Sequence, residues 1–312
     1  MHMTKTLFID GEAGTTGLEI GQRLRGVPGV AVRSLDPAAR RDRAARLAMM
    51  AAVDLVVLCL PDEAAREAAS MIEGLGASAP KLLDASTAHR TAPGWVYGFA
   101  ELTAGHGREI AAASRVANPG CYATGAIALL RPLVDAGLIP ADHPLTIQGV
   151  SGYSGGGKAM IADHEQVGGP AFEIYSLSLN HKHIPEIVRH AGLTTRPIFV
   201  PSVGHFRQGM LVMVPLHLEA LPGRPTVREI GTVFDDYYHA TPHVRLRRPP
   251  AEQRLPAETL AGTDVMEIYV FENEAESQAL LVARLDNLGK GAAGAAVQNI
   301  GLMLDLSAPM DR

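Results

Sequence analysis

Cys121 is the residue whose type and position most clearly suggest chemistry. It follows Asn118-Pro119-Gly120 and opens a segment with apolar residues at helical spacing, at Ala123, Ile127, Leu130 and Val134. Pro119-Gly120 predicts a turn, so Cys121 is expected at a helix N-terminus. There the helix dipole favours the thiolate and lowers the thiol pKa below its free value of about 8.5. The pattern predicts a nucleophile, although a packing cysteine at a helix start would look the same.

Cys59 contrasts with Cys121. It lies in the apolar run 56–60, which indicates a buried, inert small residue. The chain has only these two cysteines and no His-Glu-x-x-His run. Neither a disulfide framework nor a metal site is therefore expected.

Two histidines could serve Cys121 as proton partners. His181 and His183 flank Lys182 just before a helix predicted from Pro185. In extended backbone the two imidazoles share a face, so one could act as acid or base while the other orients it or holds substrate. A surface or structural role for both remains the alternative.

Several hydroxyl and basic residues are candidates for binding an anionic substrate. One group follows a predicted strand, at the end where α/β sheets bind ligands. Another lies in the glycine-rich loop 151–158, whose backbone N–H groups could cradle an anion. The candidates are Ser86, Arg90, Ser154, Lys158 and Arg207. Together they suggest a doubly anionic substrate, although each alone could be a solvated surface residue.

A glycine-rich turn follows the first predicted strand and opens a helix. Such a turn lets the backbone approach a pyrophosphate, and the helix N-terminus offers N–H groups to it. The predicted cofactor-binding residues in this turn are Gly11, Gly14, Thr15, Thr16 and Gly17. The spacing is GxxGxxG rather than GxGxxG, and Glu12 would repel pyrophosphate unless it points away. A glycine-rich turn without a ligand is the alternative.

The end of the second predicted strand bears on which dinucleotide binds. An acidic residue there suits a ribose 2′-hydroxyl, whereas an Arg suits a 2′-phosphate. Asp36 is outnumbered by Ser34, Arg40 and neighbouring arginines. The sequence therefore favours NADP, with Ser34 and Arg40 as binding residues, unless the arginines form only a solvated helix face.

The elements that must position these residues alternate in the first half. Strands are predicted at residues 6–10, 30–35, 54–60 and 81–84. Helical patterns cover residues 18–25, 37–50 and 62–75. This alternation favours a parallel, doubly wound sheet, a Rossmann-type dinucleotide domain.

The second half has a different pattern. Strands are predicted at residues 145–151, 198–203, 210–218, 265–271 and 279–285. Few helices separate them, which favours an α+β domain with an antiparallel or mixed sheet. The apolar, small-residue tail 290–306 predicts a closely packed helix.

Composition excludes several classes of protein. Of 312 residues, 47% are hydrophobic and 20% charged, which is ordinary for a globular protein. With a formal charge of −5, the chain lacks the excess of positive charge that binding to nucleic acid or an anionic membrane would favour. Apolar runs are too short to span a bilayer. No charged-then-apolar leader opens the sequence, so a cytoplasmic protein is expected.

Four segments together resemble the N-acetyl-gamma-glutamyl-phosphate reductase family, in its shorter-chain form. They are Ile9 to Leu18, Asn118 to Gly125, His181 to Ile187 and Asp286 to Asn299. The segment at Cys121 and the C-terminal segment are the most specific. The loop lacks the Gly-Ala-x-Gly form common in longer-chain relatives, which bears on the subfamily more than on the reaction.

The resemblance implies an activity, a domain plan and further site residues. The activity is NADPH-dependent reduction of N-acetyl-L-glutamyl 5-phosphate to N-acetyl-L-glutamate 5-semialdehyde, in arginine biosynthesis, through a Cys121 thioester. The dinucleotide domain would comprise residues 1–120 and 288–312, with a catalytic and dimerisation domain at 121–287 inserted. Asn287 and Lys290 join the expected cofactor residues, and His181 is favoured over His183 as acid/base. The expected partners are a small-molecule substrate and further copies of the chain, as a homo-dimer or homo-tetramer.

Two other functions are compatible with parts of the sequence. Aspartate-semialdehyde dehydrogenase, another acyl-phosphate reductase, shares the nucleotide loop, the cysteine and the inserted domain. The Cys-Tyr-Ala-Thr-Gly segment and the His-x-His-x-Pro-Glu-Ile run argue against it. A non-catalytic nucleotide-binding sensor would leave Cys121 and the paired histidines without a purpose.

Overall fold

The computed structural model describes residues 4–306, which form two compact units. The first unit contains residues 4–100, 105–119 and 292–306. The second contains residues 101–104 and 120–291. The predicted dinucleotide domain also includes residues 1–3 and 307–312, which lie outside the described residues. No helix of residues 4–306 is long and apolar enough to cross a membrane.

The described chain contains thirteen strands and nine α-helices. The strands are β1 (Lys5–Asp10), β2 (Val30–Arg33), β3 (Leu55–Leu58), β4 (Lys81–Asp84), β5 (Val96–Tyr97), β6 (Arg115–Ala117), β7 (Thr146–Gly152), β8 (Phe172–Ile174), β9 (Ile198–Gly204), β10 (Met210–His217), β11 (Val244–Arg247), β12 (Met266–Asn273) and β13 (Gln278–Leu285). The helices are α1 (Thr15–Leu24), α2 (Arg43–Ala51), α3 (Asp62–Glu73), α4 (His106–Ala112), α5 (Cys121–Asp135), α6 (Gly157–Ala162), α7 (Ile184–His190), α8 (Val227–Tyr238) and α9 (Gly294–Leu304).

The first unit is built on a parallel sheet. Its strand order is β2-β1-β3-β4-β6-β5, and every neighbouring pair runs parallel. All four residues of β3 are buried, as expected for a strand covered on both faces. The strand order turns back next to β1, so the glycine-rich turn after β1 lies at the edge where such sheets bind ligands.

The core of the first unit draws on both ends of the chain. Leu7 and Ile9 from β1 pack in one apolar cluster with Ala296, Ile300 and Met303 from α9. A second cluster, with Phe8, Met50 and Ile72, also belongs to this unit. The N-terminal strands and the last helix therefore complete one core.

The second unit is built on a mixed sheet of seven strands. Their order is β11-β12-β13-β10-β7-β9-β8, with two parallel pairs, β7–β9 and β11–β12, and four antiparallel pairs. Helix α5 packs closely on this sheet, because a Cβ on Gly125 would lie 2.7 Å from the side chain of Val212. The predicted combination of a doubly wound sheet with a second, mixed sheet is confirmed.

Several details differ from the expectations, among them the short strands β5, β6 and β8, which were not expected. The helix expected over residues 37–50 is a short 3₁₀ turn, Pro37–Ala39, followed by α2. Asp42 caps α2 by accepting a hydrogen bond from the Ala45 N–H at 2.7 Å, and such a cap starts a new helix. Strand β11 was not expected, since four residues alternating apolar and Arg give a weak signal.

Candidate active site

Cys121 is the first residue of α5, and no side chain caps this helix. The N-cap is Gly120, whose extended backbone leads directly into the first turn. The first N–H groups of a helix have no partner within it, so this end offers hydrogen-bond donors and a positive dipole beside the thiol. Cys121 is partly exposed, whereas the residues after it, up to Leu130, are buried. The helix thus supports a thiol that a ligand can reach.

Glu186 holds the turn in front of Cys121. Its Oε2 accepts a hydrogen bond from the Gly120 N–H at 3.1 Å, and the residue is 1% exposed. Thr124 closes the turn from the other side, because its Oγ1 donates to the Gly120 carbonyl at 3.0 Å. Sequence reasoning did not single out Glu186, although it lies three residues after His183.

Gly291 closes the space on another side of Cys121. A Cβ on Gly291 would lie 2.9 Å from the Cys121 Cβ and 3.0 Å from the Asp286 carbonyl oxygen. Gly291 lies in the π-helical turn Gly289–Ala293. Only a residue without a side chain fits this close approach, so the turn helps to fix the position of Cys121.

His181 and His183 come together in a buried aromatic cluster. Their ring centroids are 4.6 Å apart, and Phe199 and Tyr122 pack edge-on against His181. Nδ1 of His181 accepts a hydrogen bond from the His183 N–H at 3.2 Å, so this nitrogen carries no proton. The neutral ring then has its proton on Nε2, which lies 3.3 Å from the Tyr175 hydroxyl.

Tyr175 connects this cluster electrostatically to Cys121. The pKa of Tyr175 is raised above its ordinary value, first by burial and then by the negative charge of Cys121. The pKa of Tyr122 is raised by burial and by the charges of Tyr175 and Cys121. Both phenols therefore stay protonated, and the Tyr175 hydroxyl oxygen can accept a hydrogen bond from His181 Nε2–H. Sequence reasoning missed Tyr175, since a single tyrosine in a loop gives no pattern.

Asn287 ties together two loops of the second unit. Its Nδ2 donates to the Ser154 Oγ at 2.9 Å, and its Oδ1 accepts from the Gly209 N–H at 2.9 Å. Ser154 and Asn287 are both almost fully buried. These two predicted site residues are therefore bonded to each other within the protein.

The two cations of the second unit that are predicted to bind substrate lie at its surface. Lys158 is exposed at the start of α6. Arg207 is also exposed, and its guanidinium forms an ion pair with Glu165. Lys290 differs, since its ammonium is buried 2.6 Å from the carboxylate of Glu101.

In the first unit, the glycine-rich turn fits a dinucleotide. A Cβ on Gly11 would lie 2.3 Å from the Cys59 carbonyl oxygen, and one on Gly17 would lie 2.5 Å from the Gly11 carbonyl oxygen. Gly14 is the N-cap of α1, with no side-chain hydrogen bond at this end. The uncapped helix start with Thr15 and Thr16 offers the N–H donors that a pyrophosphate needs.

Ser34 and Arg40 both contact Glu12. The Ser34 hydroxyl donates to Glu12 Oε2 at 2.6 Å, and the Arg40 guanidinium lies 2.5 Å from Glu12 Oε1. Asp36 is used elsewhere, because its Oδ1 accepts from the Ala38 N–H at 2.9 Å. The carboxylate nearest to these two donors therefore comes from the glycine-rich turn.

Ser86 and Arg90 are fixed by bonds within the first unit. Ser86 donates from its N–H and its hydroxyl to Asp84, which also contacts His89. Nε of Arg90 donates to the Asn118 carbonyl at 2.9 Å. Arg90 is nearly buried, so its guanidinium braces the segment that leads to Cys121.

The structure thus groups the predicted residues unit by unit. In the second unit, His181 and His183 lie in one cluster. Tyr175 contacts this cluster, and the charge of Cys121 contributes to the raised pKa of its phenol. In the first unit the structure brings Ser34 and Arg40 to the glycine-rich turn. Among residues 4–306, no group of three or more His, Cys, Asp or Glu side chains could hold a metal ion.

Comparison with known proteins identifies close relatives. A family model described as the dimerisation domain of semialdehyde dehydrogenase matches residues 121–287. An N-acetyl-gamma-glutamyl-phosphate reductase of Brucella anthropi is 50% identical over 312 residues, covering 97% of this chain and 99% of that protein. N-acetyl-gamma-glutamyl-phosphate reductase 2 of Pseudomonas putida is 48% identical over 310 residues, covering 97% of this chain and 98% of that protein.

Solved structures resemble the chain in fold. Aspartate semialdehyde dehydrogenase II of Vibrio cholerae has a TM-score of 0.71 at 17% identity, covering 98% of this chain and 100% of that chain. Aspartate semialdehyde dehydrogenase of Candida albicans, solved with NADP, has a TM-score of 0.63 at 12% identity, covering 96% and 98%. At such identities the likeness shows the fold alone.

Proposed function

The chain belongs to the N-acetyl-gamma-glutamyl-phosphate reductase family, and on that premise we propose that it reduces N-acetyl-L-glutamyl 5-phosphate to N-acetyl-L-glutamate 5-semialdehyde with NADPH, releasing phosphate. The protein is accordingly an oxidoreductase of amino-acid biosynthesis. The observation that most supports the proposal is Cys121 at the uncapped start of α5, with the His181 cluster in the same unit.

The first step would use the sulfur of Cys121. Its thiolate attacks the acyl carbon of the substrate, the carbon–sulfur bond forms, and the bond to the phosphate oxygen breaks. The dipole of α5 stabilises the thiolate, and the N–H groups of its first turn can stabilise the oxyanion that develops on the acyl oxygen. Glu186 and Gly291 serve this step as positioning residues, because they hold the turn in which the sulfur lies.

His181 is the residue we assign to proton transfer. Its Nε2–H is the donor in this assignment, since Nδ1 accepts a hydrogen bond from the His183 N–H. The thioester oxygen takes a proton from His181 as the acyl carbon is reduced, and it returns that proton to His181 when the carbon–sulfur bond breaks and the aldehyde leaves. His183 packs against His181 and fixes its ring, and Tyr175 holds Nε2 in place.

The nucleotide cofactor is assigned to the first unit. The turn at Gly11, Gly14 and Gly17 has the backbone approach that a pyrophosphate requires. When bound, NADPH supplies the hydride that reduces the acyl carbon. Release of the aldehyde then breaks the carbon–sulfur bond and returns the Cys121 thiolate. The proposed preference for NADP over NAD rests on Ser34 and Arg40.

The predicted domain limits also stay a proposal. They are residues 1–120 with 288–312 for the dinucleotide domain, and residues 121–287 for the catalytic domain.

Binding of the anionic substrate is assigned to the predicted cations. Lys158 and Arg207 are exposed in the second unit, where they can meet a phosphate or carboxylate. Ser154 and Asn287 shape the loop that bears Lys158, and Arg90 braces the segment before Cys121. Asn287 and Lys290 remain predictions as cofactor residues.

We also propose that the protein is a homo-oligomer, with a dimer as the basic unit. The matched family model is described as a dimerisation domain. The second unit exposes large apolar side chains on and near its edge strand β8, namely Val167, Phe172, Ile174, Leu177, Leu179 and Ile198. An apolar edge of this kind fits a second copy of the chain. The cytoplasmic location expected from the sequence stays a prediction.

A spectrophotometric assay tests the reaction. The purified protein is given N-acetyl-L-glutamate 5-semialdehyde, phosphate and NADP⁺, and NADPH formation is followed. Replacing Cys121 with Ser should lower kcat by at least about a thousandfold, because the hydroxyl is far less nucleophilic than the thiolate. The matched control is Cys59→Ala, which removes the other thiol and should keep a near-wild-type rate.

Two results would count against the proposal. A near-wild-type rate in Cys121→Ser would rule out covalent catalysis through this sulfur. A clear preference for aspartate semialdehyde over the N-acetylated substrate, under the same conditions, would mean that the reaction class is right and the substrate wrong.

A further inference from the structure

Glu12 is an acidic side chain inside a turn that must approach pyrophosphate, and the structure gives it two partners. Each of its carboxylate oxygens has one donor, the Ser34 hydroxyl at 2.6 Å and the Arg40 guanidinium at 2.5 Å. The Glu12 side chain is 21% exposed, so this contact is only partly screened by water. Glu12 therefore does not point freely into solvent.

Glu12 and Arg40 lie in the shared wall of two cavities. One, of about 510 Å³, extends along α1 and β2 and includes Ser34 in its lining. The other, of about 110 Å³, lies over the glycine-rich turn and is lined by Leu35 and Leu60. The contact of Glu12 with Arg40 thus faces the space beside the turn that nucleotide binding would use.

The end of the second strand is where dinucleotide-binding sheets read the 2′ position of the adenosine ribose. Asp36, the acidic residue nearest to that strand end, is used as a cap for the Ala38 N–H. Ser34 and Arg40 supply the donors there, and Glu12 supplies the carboxylate. Glu12 therefore already contacts the two donors that a 2′-phosphate would use.

We propose that Glu12 is a specificity-determining residue that competes with the 2′-phosphate of the coenzyme for Ser34 and Arg40. This inference rests on the proposed function, since it presumes that the first unit binds a nicotinamide dinucleotide. The carboxylate keeps the two donors together before binding, and a 2′-phosphate must displace it. NAD has no phosphate at this position, so it binds without breaking the contact.

Electrostatics gives the direction of the effect. A 2′-phosphate brings close to two negative charges near a carboxylate that already holds one. Part of the attraction of Arg40 for the phosphate is therefore cancelled by Glu12. Removing the charge on Glu12, while keeping its shape, should strengthen binding of NADP and leave binding of NAD nearly unchanged.

Calorimetric titration with the oxidised coenzymes measures this directly, without turnover. NADP⁺ and NAD⁺ are titrated into the full-length protein and into Glu12→Gln. The variant should bind NADP⁺ roughly tenfold more tightly, as expected when an opposing charge beside a charge-assisted hydrogen bond is removed. Its Kd for NAD⁺ should change by less than about twofold.

Glu19→Gln is the matched control, and thermal unfolding checks that each variant is folded. Glu19 lies on α1 and pairs with Arg23, so its variant makes the same change of charge outside the linings of both cavities. It should leave the ratio of the two Kd values unchanged.

Three results would overturn the inference. Equal changes for both coenzymes in Glu12→Gln would mean that Glu12 only stabilises the turn. Weaker binding of NAD⁺ alone would mean that Glu12 binds a ribose hydroxyl. If the wild-type protein bound neither coenzyme, the proposed function itself would fail, which is a different outcome from a folded, NADP-binding protein whose preference Glu12 does not set.

Discussion

At the scale of single residues, the two cysteines are both partly exposed but differ in their electrostatic surroundings. Burial, and then the charges of Asp84 and Asp10, raise the pKa of Cys59 to about 12. At pH 8 only about one Cys59 thiol in ten thousand is ionised. Cys121 instead lies at the positive end of α5.

This contrast predicts selective alkylation. At pH 8, iodoacetamide should modify Cys121 and leave Cys59 intact in the folded protein, as read by peptide mass spectrometry. Labelling of Cys59 should rise about tenfold for each pH unit above 8, because its ionised fraction rises by that factor. Unfolded protein is the control, since both thiols should then react alike. Preferential labelling of Cys59 in the folded protein would contradict the assignment of Cys121.

Tyr175 gives a second prediction at this scale. Tyr175→Phe keeps the ring and removes the hydroxyl that lies 3.3 Å from His181 Nε2. The kcat of the variant should be roughly fivefold to tenfold lower, because a hydrogen bond of this kind contributes about 1 kcal/mol. Its KM should be nearly unchanged. The pH dependence of kcat should also change, because the hydroxyl that contacts His181 Nε2 is gone.

Tyr237→Phe is a matched control for Tyr175→Phe. It also removes a phenol that donates to a neighbour, here the Leu102 carbonyl at 2.7 Å. It should leave the pH profile of kcat unchanged. An unchanged profile in Tyr175→Phe as well would mean that Tyr175 has only a packing role.

At the scale of elements, the π-helical turn Gly289–Ala293 determines how closely the backbone approaches Cys121. Gly291→Ala places a methyl group 2.9 Å from the Cys121 Cβ, so the turn or α5 must shift. We expect a loss of roughly 1–3 kcal/mol in the free energy of unfolding, and a fall of about a hundredfold in kcat if the sulfur moves by about 1 Å.

Gly231→Ala is the control for this change. Gly231 lies inside α8, and a Cβ there meets no atom within 4 Å. The substitution should be neutral or stabilising by up to about 1 kcal/mol, because Ala favours a helix. Denaturant unfolding and steady-state kinetics of both variants decide the matter. Unchanged kinetics in Gly291→Ala would show that the turn does not position the sulfur.

Elements with a strong period or clear start signals could be predicted from the sequence. The continuous apolar run at β3, the turn before α1 and the Pro-Gly turn before α5 each have a local cause that the residues reveal. Strand β11 and strand β8 could not be predicted, because they are short edge strands without the continuous apolar run that marks β3. The division of residues 37–50 depends on the Asp42 cap, one residue in a helix-favouring stretch.

In the candidate site, too, some residues could be predicted from the sequence and others could not. Cys121, the paired histidines and the glycine-rich turn are recognisable because local order in the sequence places them. Tyr175 and Glu186 reach the site through the tertiary fold, so no spacing reveals them. Glu12 contacts Ser34 and Arg40, which lie far from it in the sequence. The sequence predicts that Glu12 repels pyrophosphate, but it does not reveal that two hydrogen-bond donors contact this carboxylate in the fold.

At the scale of the whole molecule, the apolar edge around β8 predicts the state of assembly. Phe172 is 59% exposed and Leu177 is 69% exposed, which is costly for a free surface. Phe172→Glu places a charge on this edge and should convert an oligomer into monomers, measured by light scattering after size exclusion.

Leu18→Glu is the matched control for assembly, since Leu18 is an exposed apolar residue of the first unit. It should leave the molar mass unchanged. If Phe172→Glu kept the wild-type mass while Leu18→Glu lost it, the contact between copies would lie on the first unit instead.

The shared core of β1 and α9 has a consequence for synthesis on the ribosome. The nascent chain makes the Leu7 and Ile9 strand early, but the partner residues Ile300 and Met303 emerge last. Translation from residue 119 to residue 292 takes roughly 10–35 s at about 5–20 residues per second. During that delay the unfinished sheet exposes apolar side chains that α9 later covers, so we expect chaperones to bind this half of the protein. A chain truncated shortly before α9 should be degraded by proteases.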